Sequence, residues 1–267
     1  MKTAAGSQHN LESILLKKKN KLLHFFKQIK IYYPKNPIVL IYGNPDTGKT
    51  DFSLLISEIL LENRIIHKVG TNIKTYNANN FRILKNTLEL KEFLNEPGRK
   101  LFCLDEAGIH LYGRDAMKKL NKYIVKTAFL CRKFKTCIHF ILQDPNVIDK
   151  HILKSPLINC AIEKVDKKNA IFYSNVKQEI YVLNNIPRTS INFDTYDIAS
   201  FEFFSEEEEQ KQSIRQRIDE EAINTLKLWQ QCGFNYSKLK EALELKYTYE
   251  AKRKVQRAIK NILKILS

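Results

Sequence analysis

The sequence predicts an α/β protein: a mostly parallel sheet flanked by helices, followed by a small all-helical module. Three observations carry that expectation. From residue 36 to 205, short β-rich runs alternate with longer helical patterns. Gly43-Asn44-Pro45-Asp46-Thr47-Gly48-Lys49-Thr50 stands between a buried-strand pattern and an amphipathic helix pattern. After four consecutive glutamates at 206–209, the pattern is helical to the end of the chain. The expected division is an N-terminal basic amphipathic helix at 1–35, an α/β domain at 36–205 and a helical domain at 206–267.

In the first segment, Leu11, Ile14, Leu15, Leu22, Leu23, Phe25, Phe26 and Ile29 recur among Lys17, Lys18, Lys19, Lys21, Lys27 and Lys30. That is the spacing of a basic amphipathic helix. Its apolar stripe is expected to pack on the next domain with the lysines in water; a nucleic-acid arm and a membrane-surface helix are the other readings. Tyr33-Pro34 and Asn36-Pro37 break it. Residues 38–42 form a continuous apolar run, as a buried parallel strand would. Phe52, Leu55, Ile56, Ile59 and Leu60 then mark one helix face. Further strands are expected at 65–69, 100–104 and 137–142, and helices at 83–94 and 116–131. The runs 157–163, 170–174 and 179–183 read as a small antiparallel addition, the first two joined by a Lys167-Lys168-Asn169 turn. The glutamate run reads as a solvated linker or a helix start. Helical patterns follow at 213–231, 236–244 and 249–266, with Thr248 placed to cap the last.

Composition narrows the function classes. The 267 residues are 43% hydrophobic and 28% charged, enough apolar material for a packed core. A net charge of +16 suggests a polyanionic partner, nucleic acid or an anionic membrane face. No apolar stretch approaches the roughly 18 residues of a membrane span, and no secretory-signal pattern opens the sequence. The expectation is a soluble, intracellular protein in a host cytoplasm, with no membrane among its expected partners. Five scattered cysteines without a C-x-x-C pair, and six histidines without ligand spacing, argue against a disulfide framework or a zinc site.

The sequence 43–50 fits G-x-x-x-x-G-K-[ST] at every fixed position. Two glycines allow backbone N–H groups to turn inward around the β- and γ-phosphates of a nucleotide such as ATP, and the following helix presents its positive end. Lys49 adds a point charge to the same oxygens, and the Thr50 hydroxyl suits Mg²⁺. Gly43, Asn44, Pro45, Asp46, Thr47, Gly48, Lys49, Thr50 and the adjoining Asp51 are the expected phosphate-binding residues. A second acidic site should end another buried strand, and Leu101-Phe102-Cys103-Leu104-Asp105-Glu106 supplies one. Asp105 is expected to serve the metal and Glu106 to orient or deprotonate a water. Gln143, at the tip of the 137–142 strand, reads either as a γ-phosphate sensor or as an ordinary strand-terminal amide.

These residues resemble the HerA/FtsK superfamily of P-loop ATPases, nearest to its short members from archaeal viruses and plasmids, including genome-packaging ATPases. The likeness rests on the loop at 43–50, the Asp105-Glu106-Ala107-Gly108 box, Cys131-Arg132-Lys133, Gln143 and the stretch Ile186-Pro187-Arg188-Thr189. It covers about residues 37–200. The resemblance implies a P-loop NTPase fold of the RecA/HerA-FtsK kind, assembled as a homo-oligomer, commonly a hexamer. It implies that Lys49 and Thr50 bind phosphate and Mg²⁺, that Asp105 and Glu106 serve metal and water, and that Gln143 is the sensor. Arg132 becomes the candidate arginine finger toward a neighbouring subunit, with Arg114 as its substitute.

The last helical pattern is strongly amphipathic, and residues 234–267 carry nine Lys and Arg against three Glu. Two helices joined by a short turn and followed by a basic third fit a helix-turn-helix or winged-helix module. Tyr249, Lys252, Arg253, Gln256 and Arg257 are the candidates for DNA contact; a helical cap or oligomerisation bundle is the alternative. A second basic zone at 114–154 carries ten Lys and Arg against three Asp and fits a DNA-facing channel or an outer surface equally well. The expected function is Mg²⁺-dependent ATP hydrolysis coupled to translocation or packaging of double-stranded DNA by a homo-oligomeric ring, encoded by a virus or plasmid. The rivals are an ATP-switched DNA-binding regulator or replication/partition factor, and a membrane-associated assembly ATPase.

Overall fold

The computed structural model describes residues 4–29, 31–32, 37–76, 78–105, 122, 125–126, 129, 133–145, 158–174, 178–195, 199–204 and 206–266. The chain divides into two compact units, Met1–Phe203 and Phe204–Ser267.

The first unit opens with helix α1 (Ala4–Gln28) and strand β1 (Ile38–Tyr42), followed by α2 (Lys49–Glu62), β2 (Lys68–Thr71), β3 (Thr75–Tyr76) and β4 (Phe81–Ile83). Then come α3 (Thr87–Asn95), β5 (Lys100–Leu104), β6 (Thr136–Leu142), β7 (Cys160–Lys164), β8 (Ala170–Ser174), β9 (Glu179–Leu183) and β10 (Asn192–Phe193). One eight-stranded sheet runs β4-β2-β5-β6-β1-β7-β8-β9; β3 and β10 pair separately. Pairing is parallel from β4 through β7 and antiparallel for β8 and β9. This is the mostly parallel α/β sheet that the alternating pattern predicts.

Parallel strands are buried on both faces, and the strand period of two divides their side chains between two layers. Val39 and Ile41 join Leu22, Phe26, Phe52, Leu55, Ile56 and Ile59 in one core. Ile38 and Leu40 join Phe102, Ile138, Phe140, Leu90 and Phe93 in the other. Leu22, Leu23 and Phe26 of α1 are buried in the first core, whereas Ile14 of the same stripe is exposed, so only the C-terminal half of the stripe packs as expected. Lys19 departs from the solvated face expected of it. Its ammonium is buried 2.8 Å from a Glu58 carboxylate oxygen and 2.8 Å from one of Glu62, both on α2.

Local boundaries shift for identifiable reasons. The strand expected at 65–69 starts at Lys68, because Arg64, Ile65 and Ile66 are still donating N–H bonds to Leu60 and Leu61 as α2 closes. The helix expected at 83–94 starts at Thr87. Residues 81–83 pair with β2, and the Asn86 side chain caps α3 by accepting from the Leu88 and Glu89 N–H groups. The helix expected at 116–131 lies largely outside the described residues.

The second unit holds α4 (Glu206–Gln231), α5 (Tyr236–Ala242) and α6 (Thr248–Leu266). The glutamate run at 206–209 falls in the first turn of α4. Gly233 and Phe234 adopt φ of 64° and 60°, reversing the chain before Asn235 caps α5 through the Ser237 and Lys238 N–H groups. Thr248 is the first residue of α6 rather than its cap; the Glu250 carboxylate accepts from the Tyr247 N–H instead. Leu239, Ala251 and Val255 form the core, with Trp229 stacked on Tyr236 beside it. The apolar stripe on α6 is narrower than its spacing suggests. Ala251, Val255 and Ala258 are buried, whereas Ile259 and Leu263 are 39% and 60% exposed.

Candidate active site

The loop between β1 and α2 is built by backbone constraint. Gly43 has φ +148°, and a Cβ there would lie 2.4 Å from the Lys164 carbonyl oxygen on β7. The Thr47 hydroxyl and N–H both donate to the Asn44 carbonyl, at 2.8 and 3.4 Å, closing the loop on itself. Lys49 Nζ donates to the same carbonyl at 2.8 Å. Gly48, left-handed at φ +81°, starts α2 without a side-chain cap. The orphan N–H groups and positive dipole of that helix end are an anion site.

Asp105 follows β5 and is 8% exposed. The Thr50 hydroxyl donates to its carboxylate at 2.6 Å. Asn72, just beyond β2, brackets the Asp105 backbone: its side-chain oxygen accepts the Asp105 N–H at 2.8 Å, and its amide donates to the Asp105 carbonyl at 3.0 Å. The same amide donates to the Ala199 carbonyl at 2.9 Å. Because β6 lies between β5 and β1, Gln143 at its tip stands between the acid and the loop. A cleft of about 540 Å³ at these carboxyl strand ends is lined by Pro45, Asp46, Gly48, Lys49, Thr50, Asp51, Asp105 and Gln143. Its size and its place beyond the strand ends suit a nucleotide.

The donor chemistry fits Mg²⁺. A hydroxyl and a carboxylate in contact are hard oxygen ligands, and such sites normally take further oxygens from substrate phosphates and water. Among the described residues no group of three or more His, Cys, Asp and Glu forms a self-sufficient metal cage.

A second wall of the cleft comes from segments the motif does not name. Lys167 sits in the β7–β8 turn, with its Cα 3.8 Å from where a Gly48 Cβ would stand. Asp166 holds that turn by accepting the Lys168 and Asn169 N–H groups. Arg188, Phe193, Asp194 and Thr195 complete the wall. Among the described residues, Lys164 Nζ is buried with no hydrogen-bond partner and lies 5.0 Å above the Phe52 ring. Burial pushes its ammonium down to about 8, against the pull of Asp166 and Asp51. Burial also raises the Asp51 carboxyl, while the Thr189 N–H, Arg188 and Lys164 act to lower it.

Beneath the site runs a buried polar chain. Tyr32 Oη meets His139 Nε2 at 2.8 Å, and His139 Nδ1 meets Ser53 Oγ at 2.8 Å. Burial holds His139 down at about 3, so the imidazole is neutral. Ser53 also donates to Cys103 at 3.3 Å, which joins α2 to β5 below the Thr50–Asp105 contact.

Of the residues expected from sequence, the loop at 43–50, Asp51, Asp105 and Gln143 come together here. Glu106, Arg114 and Arg132, and most of the basic zone at 114–154, lie outside the described residues. Tyr249, Lys252, Arg253, Gln256 and Arg257 are all exposed on α6 in the second unit. Asn72, Lys167 and Arg188 were not expected at the site. For Arg188 a signal existed in the 186–189 stretch; for Asn72 and Lys167 there was none beyond their strand ends.

No protein-family model and no curated protein matches the chain. P-loop ATPases are among the solved structures similar to it. One is the DNA-packaging ATPase B204 from Sulfolobus Turreted Icosahedral Virus, at 13% identity over 57% of this chain and 99% of that one, with a TM-score of 0.41. The genome packaging NTPase B204 from Sulfolobus turreted icosahedral virus 2, in complex with ATP-gammaS, is also 13% identical over 57% and 98%, with a TM-score of 0.42. The N-terminal domain of zonular occludens toxin from Neisseria meningitidis is 17% identical over 63% and 100%, with a TM-score of 0.34.

Proposed function

We propose that this chain hydrolyses ATP with Mg²⁺, and that a homo-oligomeric ring of copies couples hydrolysis to translocation or packaging of double-stranded DNA for a virus or plasmid. One observation carries the first half: the 2.6 Å contact between Thr50 and Asp105, beside a helix start with no side-chain cap. A hydroxyl–carboxylate pair next to an anion site is the arrangement needed to hold a metal–triphosphate. The net charge of +16 and the exposed cations of α6 support a polyanionic partner for the second half.

Each group has a task in this reading. The loop N–H groups and Lys49 bind the phosphates, with Lys49 exchanging the Asn44 carbonyl for phosphate oxygens. Thr50 and Asp105 hold Mg²⁺, which when bound neutralises charge developing on the terminal phosphate. Asn72 fixes the Asp105 backbone, so the carboxylate is aimed before the nucleotide arrives. Glu106 orients the attacking water, and Gln143 reads the terminal phosphate from between the two strands. Arg132, or Arg114 in its place, serves a neighbouring copy.

The exposed set Tyr249, Lys252, Arg253 and Gln256 on the first turns of α6 favours a second reading, an ATP-switched DNA-binding regulator with a helix-turn-helix module. Steady-state turnover with and without long duplex DNA separates the two, alongside sizing with nucleotide. DNA-stimulated turnover by an oligomer supports the motor. Negligible turnover together with a single protected sequence supports the regulator. No heat on titrating ATP and Mg²⁺ into folded protein sinks both.

A further inference from the structure

The segment 186–190 contributes Arg188 to the lining of the cleft and is tied down on both sides of that exposed cation. Ile186 and Pro187 are buried, and the Ile186 N–H donates to the Lys168 carbonyl at 2.8 Å, tying the segment to the β7–β8 turn. Thr189 gives its N–H to Asp51 and its hydroxyl to Glu58 at 2.9 Å. Ser190 gives its N–H to the same Glu58 oxygen at 3.1 Å and its hydroxyl to the other. Glu58 is itself buried and paired with Lys19. Arg188 is therefore the exposed residue between two anchored flanks, and it lines the cleft with Lys49, Thr50 and Asp105.

The charge at that corner needs explanation. Asp51 follows Thr50 in the first turn of α2, where a carboxylate would repel a bound polyphosphate. Arg188 is close enough to act on the Asp51 carboxyl, as is Lys164. A guanidinium there offsets the repulsion and still offers several donors to phosphate oxygens.

Resting on the ATP-binding reading above, we infer that Arg188 contacts the nucleotide phosphates from within the same chain, and that Glu58 is a positioning residue that holds its strap against α2. The contact is made by the bound nucleotide whether or not a terminal phosphate is present, so ADP and ATP should both report it. That separates Arg188 from a residue acting only on the transferred group.

The test is calorimetric titration of ATP and of ADP, each with Mg²⁺, into the full chain and its variants. Arg188→Ala changes an exposed side chain and should leave the fold intact. It should raise Kd for both nucleotides by a similar factor, about tenfold for one lost charge-assisted bond. Arg188→Lys should recover part of the loss. Ser190→Ala removes a tether but leaves Arg188 in place. It should raise Kd by a smaller factor, about threefold, and add nothing in the Arg188→Ala background. Unchanged affinity in Arg188→Ala, with Lys49→Ala abolishing binding, overturns the Arg188 contact and spares the ATP reading. A loss confined to turnover also overturns it, and a Ser190→Ala effect that persists in the double variant removes the positioning role. No binding by the unaltered chain removes both readings.

Discussion

The two units handle charge in opposite ways. In the first, polar groups are drawn inside and, Lys164 apart, those around the cleft are given dedicated partners: Lys19 with Glu58, Thr50 with Asp105, Asn72 with the Asp105 backbone. In the second, the described buried cluster centres on Leu239, Ala251 and Val255, and the cations of α6 at 252, 253 and 257 stand in water. A partnered buried group has one geometry and is costly to disturb; a solvated one is free to follow a ligand and contributes little to the fold. The first unit is built to position groups, the second to present them. Substitutions should separate along that line.

The largest effect belongs to Lys49→Ala. Turnover should fall by about 10²–10³-fold or more, the scale of losing a preorganised charge at the reacting group, with the melting temperature nearly unchanged. A variant that keeps its activity would break the contrast where it is sharpest. Next comes Glu58→Ala, which takes one of the two carboxylates from the Lys19 ammonium and the acceptor from Thr189 and Ser190, and should cost about 3 kcal/mol in denaturant unfolding. For Glu58, burial works to raise the carboxyl, but the hydrogen bonds from Lys19 and Ser190 overcome it and the net shift is downward. A carboxyl lower in the folded than in the unfolded chain stabilises above its ordinary range. That contribution should therefore disappear on acidification below about pH 4.5, and Glu58→Ala should lose this part of the acid sensitivity.

Lys164→Met should act in the other direction, stabilising by about 2 kcal/mol at pH 7, because it replaces an unpartnered buried amine with an apolar chain of similar length. Lys164 is held at about 8 in the folded chain, so between there and its ordinary range the unfolded chain binds more protons. Stability of the unaltered protein should rise over that window, and Lys164→Met should flatten the rise. The smallest effect on the fold is expected of Arg253→Ala on α6. Basal ATP turnover and melting should be unchanged, while DNA affinity weakens and the slope of log affinity against log salt drops by about one. A change in melting larger than about 1 kcal/mol would mean that the second unit also uses its cations structurally.

What could be read from sequence follows the same division. The loop at 43–50 and Asp105 were legible because their chemistry is local: a run of fixed residue types after one strand, and an acid after another. The sheet was legible because buried parallel strands leave continuous apolar runs such as residues 38–42 and 101–104. Lys19 was misread because its burial depends on Glu58 and Glu62, 39 and 43 residues away, and a helical pattern carries no sign of them. Asn72 and Lys167 join the site only when β2 and β7 take their places in the sheet. Ile259 and Leu263 of the amphipathic α6 stay exposed for a related reason: periodicity marks the face a helix could bury, whereas the partner decides how much of it is covered.

The contact between Gly43 and the β7 backbone leaves no slack between two jobs of one peptide. Any side chain at position 43 would have to push β7 off its neighbour or unwind the turn that follows, so an alanine there sets the sheet and the loop against each other. Damage from that single methyl group would be expected to surface first in strand pairing, well before the nucleotide is involved.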